Sequence, residues 1–271
     1  MVFWPALAAA GPRVAALDWA LAETLLALGH PPIAIVAAMD WNRFVVEPRL
    51  PDGVADLGLQ PGINFERLAV LAPDLILTSA FTQQLEPALA RIAPVERFSI
   101  FEPGPVPLAQ PRTLMLQLGE RLGRRVQARA WLEEAERRLD DWRARLAARP
   151  QRPLLLVNFI DARHVRVYGG AGLYQNVLDR LGLVNAWTGP TGYWGYATVG
   201  IERLATQADL QLLAFEPLPP DAQATLRRSP LWTQLPFVRA GRVAVLPSVL
   251  MFGAMPSALR FARLVTERLG A

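Results

Sequence analysis

Apolar and polar positions change period twice within the first forty residues. Val14 to Leu17 is an unbroken apolar run, and Ala20 to Leu28 repeats its apolar positions at helical spacing before stopping at Gly29, with Pro31 and Pro32 behind it. Ile33 to Ala37 is apolar again. This pattern predicts a strand, an amphipathic helix and a second strand, a unit that builds parallel sheets.

A phrase then occurs twice, about half the chain apart. Glu66-Arg67-Leu68-Ala69 precedes Ala72-Pro73-Asp74-Leu75-Ile76-Leu77, and Glu202-Arg203-Leu204-Ala205 precedes Gln207-Ala208-Asp209-Leu210-Gln211-Leu212. Each copy predicts a short helix that leads through an Asp turn into a buried strand, so two lobes on one plan are expected. Between them, Trp131, Ala135, Leu139, Trp142 and Leu146 form one apolar stripe along a helix predicted over Arg125 to Arg149. Pro150 and Pro153 end it, and Leu154 to Val157 starts a new sheet. The expected organisation is an α/β lobe over residues 1–124, a stiff inter-lobe helix over 125–149 and a second α/β lobe over 150–271, each lobe with a parallel central sheet.

Composition narrows the chemistry. The 271 residues contain no cysteine and no lysine, which excludes disulfides, thiolate metal sites and a P-loop. The net charge of +4 comes from arginines interleaved with carboxylates, as in Glu133-Glu134-Ala135-Glu136-Arg137-Arg138, so nucleic-acid binding is not expected. No apolar run approaches the roughly 20 residues of a membrane span. Met1 to Ala10 is apolar but lacks a basic start, and reads either as the remainder of an export signal or as a loose terminus.

His30 and His164 stand alone and are expected to be ordinary core or surface histidines. Gly169-Gly170-Ala171-Gly172, between a strand at His164 to Tyr168 and a helix at Leu173 to Leu181, reads as a tight turn; its free N–H groups leave an anion-holding role as the lesser option. Aromatic residues outside periodic segments form either lids on the core or walls of a pocket: Trp41, Phe44, Phe81, Trp187, Tyr193, Trp194, Tyr196 and Phe252. The glycine-rich stretch Gly189 to Gly195 favours the pocket for Tyr193 and Trp194.

Ala16-Leu17-Asp18-Trp19, Glu47-Pro48-Arg49-Leu50-Pro51-Asp52, Ile160-Asp161-Ala162-Arg163-His164, Asn185-Ala186-Trp187, Trp194-Gly195 and Pro236-Phe237-Val238-Arg239-Ala240-Gly241-Arg242 occur in an order and spacing that carry a resemblance. Over nearly its whole length the chain resembles the periplasmic binding proteins of iron-siderophore ABC importers, especially their ferric-hydroxamate branch. The resemblance implies two Rossmann-like lobes joined by one long rigid helix (class III), a shallow cleft and little closure. It also implies a periplasmic, monomeric carrier of a ferric siderophore that works with a membrane permease subunit. Such a carrier has no cofactor and no metal ligands of its own, because the iron arrives already chelated, and it catalyses nothing. Where the branch has an arginine donor this chain has Gln60, and where it has a tyrosine it has Thr82, beside Phe81. Tryptophans of the branch become Leu250 and Phe44, while Trp194 is retained, so a different chelate is expected. Glu66 and Glu202 match the acidic permease contacts at the lobe tips, and equally suit helix starts. A reductase or hydrolase acting on a chelate, or the same scaffold carrying haem or a corrinoid, are the alternatives.

Overall fold

Asp18 both ends the first strand and opens the first helix. Its carboxylate accepts the Ala20 backbone N–H at 2.8 Å, a donor that the first helical turn leaves unpaired. Strand β1 (Val14–Ala16) therefore passes directly into α1 (Trp19–Ala27), and β2 (Ala34–Ile35) returns parallel to β1. The computed structural model describes residues 11–59, 62–100, 106, 108–206, 209–226 and 228–270. The first lobe continues with α2 (Trp41–Phe44), β3 (Ala55–Asp56), α3 (Phe65–Val70), β4 (Leu75–Thr78), α4 (Glu86–Leu89) and β5 (Val95–Arg97). Helices α5 (Ala109–Arg121) and α6 (Arg125–Ala147) follow. The second lobe contains β6 (Leu154–Phe159), β7 (His164–Tyr168), α7 (Leu173–Leu181), β8 (Tyr196–Gly200), β9 (Gln211–Phe215), α8 (Pro220–Leu226), α9 (Pro230–Thr233), α10 (Pro236–Arg239) and β10 (Val243–Leu246), and α11 (Met255–Gly270) closes the chain.

The two sheets read β5-β4-β1-β2-β3 and β10-β9-β6-β7-β8. Setting β1 on β6 matches the two orders strand for strand, so the halves share one plan. The duplicated phrases fall on α3 and on a 3-10 turn at Ile201–Thr206, which lead into the equivalent strands β4 and β9.

The expectation of two parallel sheets needs correction. All pairings in the first sheet are parallel, whereas β7 runs antiparallel to both β6 and β8. Only residues 160–163 separate β6 from β7. A parallel crossover needs about a dozen residues or more, the space that α1 fills after β1.

Helix α6 follows the predicted stripe. Ala135, Leu139 and Leu146 are buried, and Trp131 and Trp142 are partly buried against the same core. Its 23 residues span roughly 34 Å at the α-helical rise, and it packs against α5, α7 and α11. Arg180 of α7 pairs with Glu136 at 2.9 Å and Asp140 at 2.6 Å, and Arg112 of α5 joins the same Glu136. Helix α11 packs on α6 and α7 and also reaches back to α1 and α5 of the first lobe. The lobes are thus joined covalently through α6 and by packing through α11.

The contact between α1 and α11 is polar at its centre. Glu23 is fully buried; it accepts the Ser257 hydroxyl at 2.6 Å and the Ala254 N–H, capping α11. Burial raises its pKa to about 7, from an ordinary 4.5, although these donors pull the other way. A raised folded-state pKa means that stability is fully present below about pH 4.5 and is lost as pH rises through about 7. Over that window the loss from this one group is about 2 to 3 kcal/mol. Glu23→Gln keeps an acceptor for Ala254 and is expected to flatten the decline in urea midpoint between pH 5 and pH 8. An unchanged pH slope in that variant would show that Glu23 does not titrate there.

Candidate functional site

In sheets built this way, ligands sit beyond the carboxyl ends of the strands, and the residues immediately after β1, β4, β9 and β10 converge there. Trp19 follows β1, Phe81 follows β4, Glu216 and Pro217 follow β9, and Ser248 to Phe252 follow β10. The residues after β1, β9 and β10, together with Arg43 and Phe44 from α2 and Asn158, Arg166 and Tyr168 from β6 and β7, surround a cavity of about 610 Å³ between the lobes. A second recess of about 260 Å³ shares Trp19, Leu250 and Phe252 with it and adds Asp18, Val36, Ala37 and Phe81. The larger volume suits a small-molecule ligand.

Trp19 is held between the recess and the core. Its indole N–H donates to the Val36 carbonyl at 2.7 Å, and its ring stacks on Phe44 with centroids 6.2 Å apart. Across the cleft, Phe81 of the first lobe stacks on Trp194 of the second at 4.5 Å, and both rings meet Phe252 edge-on at 5.7 Å. Trp194 reaches this place because Gly195 has φ +73° and lies against the backbone of Gly172, where a Cβ would fall 2.4 Å from the Gly172 nitrogen. The turn at Gly169 to Gly172 therefore packs on the Trp194 loop.

Polar groups fix the remaining walls. The Tyr168 hydroxyl donates to Asn158 at 2.6 Å, and burial holds its pKa above the ordinary tyrosine range. Asp18 is raised by burial, against the pull of the Ser79 hydroxyl and the Ala20 and Leu21 N–H groups. The Ser248 hydroxyl crosses between the lobes to the Phe44 carbonyl at 3.0 Å.

Of the residues singled out in sequence, Phe44, Phe81, Leu250 and Phe252 line these spaces. Trp194 lines only the crevice beside Phe81 and Phe252. Trp41 is corrected to the core: it is fully buried, edge-on to Trp19, and its indole N–H donates to the Pro48 carbonyl. Trp187 likewise joins the core of the second lobe. Thr82 is also corrected; it is fully buried, and its hydroxyl accepts the Ser79 N–H at 3.1 Å to close the turn below Phe81. Tyr193 lies outside the cavity walls, exposed and edge-on to Trp194. Gln60 lies outside the described residues. Glu66 and Glu202 are exposed in the first turns of α3 and of the 201–206 turn.

Sequence reading missed Trp19, Arg43, Arg166, Tyr168 and Met251. Trp19 was accessible from its place directly after the first strand, at the ligand-binding end of the sheet. His30 and His164 are satisfied, the first by the Pro12 carbonyl and the second by Asp161. Among the described residues no group of three or more His, Asp or Glu side chains is arranged to hold a metal ion, and no helix is long and apolar enough to cross a membrane.

Two α/β lobes around an aromatic cleft, braced by long helices, define a ligand-capturing protein of the two-lobed class. The chain belongs to the periplasmic binding protein family, whose model matches residues 14–250. It is 38% identical, over 95% of its length and 87% of the relative's, to the iron(3+)-hydroxamate-binding protein FhuD of Escherichia coli. It is 27% identical to the achromobactin-binding periplasmic protein of Dickeya dadantii, covering 88% of this chain and 79% of that one. The crystal structure of the siderophore-binding protein FhuD of Vibrio cholerae, bound to Fe3+-Desferal, matches with a TM-score of 0.90 at 29% identity, over 96% of this chain and 98% of that one.

Proposed function

We propose that this chain captures a ferric hydroxamate siderophore between its lobes in the periplasm and delivers it to the membrane permease subunit of an ABC importer. The observation that carries this reading is the 610 Å³ inter-lobe cavity, walled by Trp19, Phe44, Leu250, Met251 and Phe252. The identity to an iron(3+)-hydroxamate-binding protein supports it. A hydroxamate chelator supplies the iron's oxygen ligands itself, so the protein needs apolar walls and a few donors rather than metal ligands. Glu66 and Glu202, exposed on equivalent elements of the two lobes, are the proposed permease contacts.

Titration with ferrioxamine B and ferrichrome is expected to quench tryptophan fluorescence to saturation, because Trp19 walls both spaces and Trp194 stands at their edge. Trp194→Ala should weaken the affinity, read by calorimetry. A flat signal across hydroxamate, catecholate and mixed ferric chelates would reject the proposal.

A further inference from the structure

Strand β7 alternates, with Val165 and Val167 buried in the core of the second lobe and Arg166 and Tyr168 turned to the cavity. Arg166 has its guanidinium carbon 4.5 Å from the centroid of the Tyr196 ring, and one terminal nitrogen 3.6 Å from the Met251 sulfur, a weak acceptor. Its Nε is buried without a hydrogen-bond partner, and the groups that meet its guanidinium among the described residues, the Met251 sulfur, the Tyr168 hydroxyl and the Tyr196 ring, are all uncharged. Arg43 faces the same space from the first lobe, its guanidinium 5.1 Å from the Phe44 centroid. The charged residues lining the main cavity are therefore two arginines against one carboxylate, Glu216, which is exposed. Asp18 in the adjoining recess is committed to the Ser79 hydroxyl and the Ala20 N–H.

A partly buried guanidinium without a counter-charge is unfavourable in the empty protein, and a ligand that brings an anion relieves it. We infer that Arg166, supported by Arg43, is the charge-selecting donor of this cavity, so that the site prefers ferric hydroxamate chelates bearing a negative charge, such as a free carboxylate, over neutral or cationic ones. This inference rests on the cavity being a ferric hydroxamate site. A ferric tris-hydroxamate core is neutral, so the selection acts on the remainder of the chelator. The planar fork of arginine suits a carboxylate in two parallel hydrogen bonds.

Three probes with one iron-binding core separate the charge from the chelate: ferrioxamine B with its free ammonium, its N-acetyl derivative and its N-succinyl derivative. Calorimetric titration of the intact protein is expected to give at least tenfold tighter binding of the succinyl form than of the ammonium form, with the acetyl form between them. Arg166→Met should compress that range to under threefold without lowering the melting temperature, since it removes a partly buried cation that has no counter-charge, and Arg166→Lys should keep the order. Equal affinities for all three probes in the unmodified protein, or an undiminished range in Arg166→Met, would overturn the inference while leaving the receptor reading intact. Failure of all three probes to bind would remove the receptor reading, and the inference with it.

Discussion

Glu47→Ala is expected to destabilise the protein by about 2 to 3 kcal/mol, between the values for exposed and fully buried ion pairs. Glu47 comes from the first lobe and holds Arg260 of α11 at 2.7 Å and Arg263 at 2.9 Å. The Arg260 side chain is only 4% exposed. Its Nε donates to the Ser248 carbonyl at 2.9 Å, and the Ser248 hydroxyl in turn meets Phe44. Removing the carboxylate would leave a buried guanidinium with one neutral acceptor at the seam between the lobes. Pairing the change with Arg260→Met replaces both charges by apolar groups, and should recover most of the loss. Urea denaturation checks both steps. A single variant within about 0.5 kcal/mol of the parent, the range of ordinary surface changes, would mean that solvent already screens the pair.

Trp19→Ala should weaken binding of ferrioxamine B by at least about thirtyfold, the loss typical of a central aromatic anchor. Its ring is shared by both recesses and stacks on Phe44, so truncation merges the two spaces and removes the wall between them. Trp19→Phe keeps an aromatic wall and should lose much less. Tyr193→Ala, at an exposed ring outside the cavity, should change affinity by less than about threefold, as for rim positions. Calorimetry is the suitable readout, because replacing a tryptophan alters the fluorescence signal itself. Equal losses at Trp19 and Tyr193 would place the ligand elsewhere.

Much of the scaffold was legible because local signals agreed with the tertiary result. The first βαβ unit combined an apolar run, a helical repeat and a Gly stop backed by prolines, and α6 carried an unbroken stripe that two prolines end. The duplicated Glu-Arg-Leu-Ala phrase marked equivalent positions in two sheets of one strand order. The antiparallel β7 was also encoded, in the four residues that separate it from β6, but the expectation of symmetry between the lobes obscured it.

The site was only partly legible, since turn aromatics carry no mark of which way they face. Trp41 and Trp19 look alike in sequence. The indole of Trp41 is drawn inward by the Pro48 carbonyl, whereas that of Trp19 is pinned at the mouth of the recess by Val36. Phe81 and Thr82 are adjacent, and the turn hydrogen bond to Ser79 buries one and leaves the other facing the cleft. Arg166 could be assigned only to one face of its strand. That this face meets a cavity follows from the pairing of β7 with β6, which places Asn158 beside it.

Anomalous diffraction at the iron edge, from crystals of the protein grown with ferrioxamine B, would locate the cargo without reference to any side chain. One strong peak is expected between the lobes, in the space bounded by Trp19, Phe44, Arg166 and Phe252. A stoichiometric iron peak outside that space, with the cleft empty, would contradict capture between the lobes.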